Sequence, residues 1–243
     1  MSEPARSPTA KRLRPRDAAT LVIVDRASPT PRVLMGRRRP DQVFLPDTFV
    51  FPGGRVEAVD RALARHHALA QSELEHVKLA MRGRPSDARA SALALAAIRE
   101  TYEETGVIVG EAHADRGSEY GGAWGAFHDH GYRPRLDRLA FFARAITPPG
   151  RPRRYDTRFF IVDATHIAHR ATRVDGELLD IDWHTPEQAK GLKLPSITRH
   201  VLEDLTAWLD RPCAAPASHT VPFYRHRHGR FERTLLSCAL SPA

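Results

Sequence analysis

The chain has 243 residues, 42% hydrophobic and 27% charged, which suits an ordinary soluble protein with one sizeable core and favours one domain with insertions over two. No apolar run reaches the roughly 18 residues of a membrane span, and the basic opening MSEPARSPTAKRLRPRD lacks the apolar centre of a secretory signal, so a reducing cytoplasm is the expected setting. The formal charge of +8 points to polyanionic partners, but every one of the 37 basic residues except Lys11, Lys78, Lys190 and Lys193 is arginine, a bias that genome composition also produces and that suits phosphate and nucleic acid alike.

Residues 1–17, rich in Pro, Ser and Arg, have no periodicity and are expected to form a flexible basic tail. ATLVIVD (19–25) and PRVLMGRR (31–38) read as strands joined by the turn RASPT. VFLPDTFVFPGG (43–54) is a broken extended stretch that ends in a Gly-Gly turn. Helical signals start at Asp60, and a capping box at Ser72 to Glu75 predicts a second helical piece through Met81, with Gly83 as its stop. Ser86 or Asp87 caps a long helix that ends at Gly106. Its buried stripe is Leu95, Ile98, Tyr102 and Thr105, and Leu93 falls outside that stripe. VIVG (107–110) reads as a short strand and 113–136 as a long, glycine-containing connection. LAFFARAIT (139–147) and TRFFIVDA (157–164) have the dense apolar character of buried strands. LLDIDWHT (178–185) is a further strand, TPEQAKGL a short helix and SITRHVLEDLTAWL an amphipathic one, while 220–236 predicts a hairpin around His228-Gly229. The class is α/β: a mixed-sheet α/β/α sandwich with a C-terminal helix. Cys213 and Cys238 sit in no metal-type or redox-type pair and read as inert. His128 and His130 have no further ligands at zinc spacing.

The stretch AIRETYEETGV (97–107) runs against helix electrostatics. Glu100, Glu103 and Glu104 stack on one face close to a helix C-terminus, where like charges cost roughly 0.2–0.5 kcal/mol per pair and an acid on the order of 0.3–1 kcal/mol more. Arg99 precedes Glu103 by four residues, the weaker order for such a pair. A solvated acidic face is the bland explanation. A divalent cation is the sharper one, because hard cations take oxygen ligands and Mg²⁺ pairs a few carboxylates with substrate phosphates.

FVFPGGRVEAVD (49–60) and RETYEETGV (99–107) together resemble the Nudix box: a glycine, five residues, an acid, seven residues, then R-E-U-x-E-E-x-G-U with U aliphatic. Gly54 and Asp60 fit the first half; Arg99, Glu100, Glu103, Glu104, Gly106 and Val107 fit the second. The departures are Asp60 in place of Glu, Thr101 at an aliphatic position, and 38 residues between Asp60 and Arg99 where the pattern has seven. That last difference is a loop enlarged into a helical excursion, and a longer loop adds little closure entropy. Over most of residues 18–210 the chain is similar to the long-insert Nudix subgroup that includes animal peroxisomal coenzyme A diphosphatases. PDQVFLPDTF stands where the better-known coenzyme A-cleaving members carry L-R-x-H-x-G, and the ending SPA is not a peroxisomal address.

The resemblance implies a Nudix hydrolase domain over 18–212 with a helical insertion at 61–86, followed by an extension at 213–243. It implies metal-dependent hydrolysis of a nucleoside diphosphate linked to some group X, with Mg²⁺ or Mn²⁺ as cofactor. Coenzyme A or acyl-coenzyme A is the leading substrate; ADP-ribose, NADH and a nucleoside triphosphate are the alternatives. Glu100 and Glu104 would be the principal metal ligands, with Glu103 completing the site and Arg99 orienting the carboxylates. Glu100 is the first choice for general base, with an acid outside the box as the alternative. Gly53 and Gly54 would let backbone approach metal and phosphate closely. Arg37, Arg38, Arg55, Arg154 and Arg158 are the candidate phosphate contacts. A homodimer is compatible with the family. Nucleic acid is the less favoured partner: FYRHRHGRF (223–231) interleaves aromatic and basic residues as single-strand binders do, but a hairpin packed on the sheet accounts for the same residues. A binding module without chemistry is a further alternative, disfavoured by the intact acidic set.

Overall fold

In the computed structural model, which describes residues 13–114, 120–172, 176–209 and 220–237, the apolar runs pair into one mixed sheet. β1 (Arg16–Asp25) and β2 (Arg32–Arg38) form its first hairpin, and two short strands, β3 (Phe49–Val50) and β4 (Gly53–Arg55), add to β2 and β1 respectively. Three helices follow, α1 (Ala58–Leu63), α2 (Gln71–Lys78) and α3 (Asp87–Thr105). After β5 (Val107–Ala112), α4 (Gly122–Asp129) and β6 (Tyr132–Pro134), the chain returns to the sheet as β7 (Ala140–Ile146) and β8 (Tyr155–Asp163). β9 (Ile167–Arg170), β10 (Leu178–His184), α5 (Pro186–Lys190), α6 (Ser196–Leu209) and the hairpin β11 (Val221–Arg227) and β12 (Arg230–Leu236) complete it. The main sheet runs β10-β2-β1-β8-β7-β11-β12, with β6-β5-β9 as a small second sheet. β1 pairs with β8 in parallel, and β7 with β11.

Both faces of β1 are apolar because both are covered. Ala19, Leu21 and Ile23 join the core on the α3 side; Val22 and Val24 join the core on the α6 side. The sandwich expected from the sequence is the one observed. Among the described residues no helix is long and apolar enough to cross a membrane.

Helix α3 starts and stops for local reasons. Ser86 accepts a hydrogen bond from the Arg89 amide (3.2 Å), and Gly106, at φ 72°, supplies the left-handed residue that closes the last turn. Residues Ala90 to Arg99 are all buried. A single stripe was therefore too narrow a reading. The sheet covers one side of α3, and α1, α2 and α4 cover others, so Leu93 is as fully buried as Leu95.

Several sequence expectations need correction. The expected tail at 1–17 overlaps β1, since Arg16 and Asp17 pair with Tyr155 and Asp156 and Asp17 binds Arg89; residues 1–12 lie outside the described set. The helix expected from Asp60 begins at Ala58 and stops at Leu63. The box expected at Ser72 to Glu75 is not formed: Ala70 is the N-cap of α2, which ends at Lys78, and the Glu73 carboxylate instead accepts from the Phe141 amide of β7 at 2.6 Å. Gly83 takes φ 78° in the turn beyond. The connection at 113–136 contains α4, whose Trp124 and Phe127 are buried one helical turn apart, and strand β6. β9 was also unanticipated. The hairpin turns at His228 and Gly229, both at positive φ. Cys213 and Cys238 fall outside the described residues.

Candidate active site

Strand β4 brings the glycine turn against the acidic end of α3. Gly53 donates its amide to Glu104 Oε2 (2.9 Å), which accounts for a glutamate only 4% exposed. A Cβ on Gly53 would lie 2.5 Å from the Ala19 carbonyl oxygen, and one on Gly54 would collide with the Glu100 carboxylate. Close approach therefore requires glycine at both positions.

Arg99 is the hub. Its side chain, 3% exposed, places Nη1 3.0 Å from Glu100 Oε1 and 2.7 Å from Glu103 Oε2. Nε and Nη2 make a bidentate pair with Asp60 (2.9 and 3.0 Å), and Nη2 also donates to the Arg55 carbonyl. Asp60, fully buried, accepts two further hydrogen bonds, from the Glu57 amide (2.8 Å) and from Trp124 Nε1 (2.9 Å). Asp60 thus serves as the anchor that locks the arginine.

The excess of acids shows in their titration. Burial, then the neighbouring charge of Glu103, pushes Glu100 up to about 7, although Arg99 pulls the other way. Burial and the charge of Glu100 raise Glu104 well above the usual carboxylate range, and burial raises Glu103. The Asp60 hydrogen bonds and the surrounding acids raise Arg99 against its own burial.

Arg99, Glu100 and Glu103 border a cavity of about 460 Å³ whose lining also includes Gly53 and Gly54, while the buried Glu104 is not part of that lining. Of the arginines expected to bind phosphate, Arg38 and Arg55 line it. Arg37 does not; it pairs with Asp180 and Asp47. Arg154 is spent on the carbonyls of Thr147 and Leu13. Arg158 is a correction: it is fully buried on the opposite face of β8, 2.8 Å from Asp156, whose other oxygen binds Arg144. Strand alternation explains this, since Tyr155, Thr157 and Phe159 face the cavity while Asp156 and Arg158 point away. Sequence reading missed Arg153 and Glu177, which line the cavity, and Trp124. Parity along β8 was the available signal against Arg158; Arg153, Glu177 and Trp124 left none.

The three glutamates are not assembled as a ready metal cluster; among the described residues no group of three His, Cys, Asp or Glu side chains is. Glu103 is turned onto Arg99, leaving Glu100 and Glu104 as the mutually repelling pair beside the glycine turn. An all-oxygen donor set with unfavourable carboxylate charge fits a hard divalent cation, which would relieve both burial and repulsion. His128 has a buried Nε2 without a hydrogen-bond partner, and the His130 ring lies tilted against His169 with centroids 5.4 Å apart.

No protein-family model and no curated protein matches the chain. Solved structures do. A crystal structure of a NUDIX hydrolase from Alicyclobacillus acidocaldarius is 28% identical, covers 80% of this chain and 92% of its own, and superimposes with a TM-score of 0.60. The chain has the fold of a Nudix hydrolase. More distant Nudix structures match in outline only: the NUDIX domain of Shewanella oneidensis NrtR complexed with ADP ribose (10% identity, 81% and 90% coverage, TM-score 0.47) and a MutT NUDIX hydrolase from Burkholderia pseudomallei (14%, 79% and 99%, 0.44). The sheet, the α3 helix and the glycine turn described above are the Nudix scaffold of this chain.

Proposed function

We propose that this Nudix hydrolase cleaves the diphosphate linkage of a nucleoside diphosphate derivative, with coenzyme A or acyl-coenzyme A as the leading substrate and a cytoplasmic setting. One observation carries the reading: a glycine turn is pressed onto the Glu100 and Glu104 carboxylates at the edge of a cavity that also holds Arg38, Arg55 and Arg153. Glu100 and Glu104 would hold Mg²⁺ or Mn²⁺, with Glu103 joining on release from Arg99. The ion supplies Lewis acidity and lowers the pKa of water.

The side chains supply the rest. Arg38 and Arg55 neutralise diphosphate oxygens, for which a planar guanidinium is suited. Arg99 holds Glu100 and Glu103 in fixed rotamers and is itself held by Asp60. Glu100 is our choice to accept the proton of the attacking water, as the carboxylate pressed against Gly54 of the glycine turn. The substrate preference rests on sequence resemblance, and ADP-ribose, NADH and nucleoside triphosphates are the competing class members. A binding role for RNA gains no support from the tail, since Phe223 and Tyr224 are buried in the sheet and Phe231 stacks on His200.

The test is a panel of these diphosphates with Mg²⁺ and with Mn²⁺, with products weighed by mass spectrometry. Cleavage between the two phosphorus atoms is expected. A folded protein that turns over none of them would overturn the proposal.

A further inference from the structure

Beside the diphosphate cavity lies a second chamber of about 480 Å³. The two share the lining residues Phe44, Leu45, Tyr155, Thr157, Phe159 and Ile197, so they lie side by side. Its remaining walls come from the proline-rich turn after β7 and from the C-terminal hairpin, through Tyr224, Arg225, His226 and Phe231. Among the described residues four large hydrophobic side chains are exposed, and two of them, Val43 and Phe231, line this chamber. Apolar surface left open at a concave site marks a place where something apolar binds.

The polar atoms of the lining are largely committed elsewhere. The Tyr224 hydroxyl is bound to the Asp204 carboxylate. Arg225 donates to Glu232 (3.2 Å) and lies over the Phe223 ring. Thr147 Oγ1 accepts from the Tyr155 amide (3.0 Å). Arg151 and His226 also line the chamber, but both are exposed and remain hydrated. What faces an occupant is mostly the hydrocarbon of Leu45, Pro46, Ile146, Pro148 and Ile197, with aromatic rings between them. A nucleobase, whose edges need donors and acceptors, would forfeit hydrogen bonds to water there. A hydrocarbon chain would forfeit none.

The geometry points to this chamber as the seat of a hydrocarbon chain that the substrate carries on one side of its diphosphate, with the C-terminal hairpin as the wall that creates it. The inference rests on the diphosphatase reading and narrows its substrate class: nucleoside diphosphates esterified to an aliphatic group, in preference to dinucleotides. It also gives the basic, aromatic tail a role that needs no RNA.

The test uses the full chain and adenosine diphosphates carrying methyl, butyl or octyl esters on the terminal phosphate, with a dinucleoside diphosphate for comparison. Calorimetry with metal-free protein reads binding apart from turnover; Mn²⁺ kinetics read hydrolysis. Affinity is expected to rise about fourfold per methylene from methyl towards octyl, with KM falling in step and kcat unchanged. Ile146→Asn, in the chamber wall, is expected to flatten that dependence, and so is Phe231→Ala, a surface change on the hairpin that leaves folding intact. Equal affinity for methyl and octyl esters, or tighter binding of the dinucleotide, would overturn the inference, as would a chain-length dependence that both variants retain. The two readings fail separately. Hydrolysis without chain-length dependence sinks the chamber and leaves the diphosphatase, whereas affinity that climbs with chain length, without hydrolysis of any ester, sinks the diphosphatase and leaves the chamber.

Discussion

Asp60 shows how far a residue's role depends on what donates to it. Four hydrogen bonds converge on its buried carboxylate, two of them from Arg99 and one from Trp124. Replacing Trp124 with Phe keeps the ring and removes the donor, leaving one buried oxygen lone pair unpaired at a cost of about 1–3 kcal/mol. Turnover is expected to fall about tenfold through loss of Arg99 alignment, a 1.4 kcal/mol effect, with KM near that of the parent; steady-state kinetics beside a thermal melt separate the two effects. Glu103→Gln and Glu104→Gln are expected to cut turnover by orders of magnitude, as losses of groups acting directly on the site do. Their metal-free melting temperatures should match or slightly exceed the parent's, because each removes like charge. Near-normal turnover in both variants is the outcome that sinks the assignment. The acids also set a pH dependence. Glu100 is raised from 4.5 to about 7, and Glu103 and Glu104 move the same way. Acids raised on folding favour the fold while protonated, so their contribution is complete below about 4.5 and lost as pH rises through about 7. Metal-free protein is therefore expected to melt at lower temperature at about pH 8 than at about pH 5.5. Below that window Asp25, Asp47 and Asp156, all lowered by arginine or other partners, act in the opposite sense. A metal-free melting temperature that climbs across the neutral range would contradict the arrangement.

At the scale of elements, what could be read depended on whether local chemistry had a rival. Helix α3 was legible because its cap at Ser86, its stop at Gly106 and its apolar middle agree with one another. Helix α5 was legible for the same reason, with Thr185 and Gln188 forming a capping box and proline in the first turn. The start of α2 was not, because Glu73 leaves the local box for a distant partner, the amide of Phe141 beside the β7 bulge. Periodicity reports faces of an element and is blind to partners that the topology supplies. Helix α4 has only eight residues, three of them glycine or histidine, too few turns to show a period, although Trp124 on it completes the Asp60 cluster. The parity of β8 is present in the sequence and separates Arg158 from the cavity. The docking of the insertion can be probed directly. Glu73→Ala removes the carboxylate that accepts from the Phe141 amide, so a loss of about 0.5–1.5 kcal/mol is expected, visible in a denaturant midpoint with an unchanged slope. No change in midpoint would show that the contact is idle.

Across the whole molecule, the charge of +8 and the acidic α3 terminus are complementary parts of one electrostatic arrangement. Millimolar Mg²⁺ or Mn²⁺ is expected to raise the melting temperature, since an ion that binds only the native state stabilises it by mass action. A flat response across that range counts against Glu100 and Glu104 as ligands. Composition alone could not separate phosphate from nucleic acid, because arginine serves both; the fold adds that Arg144 and Arg158 are sealed in the interior while Arg38, Arg55 and Arg153 stand at the cavity. The central strand carries a last consequence. β1 leaves its hairpin partner after two pairs and lies along the whole length of β8, which follows more than a hundred positions later. The glycine turn is fastened to that same strand through β4. A ribosome must therefore release most of the polypeptide before the middle of the sheet can zip, and the corner that carries the glycine turn is finished late in synthesis, after β1 has waited as an apolar ribbon for its parallel mate.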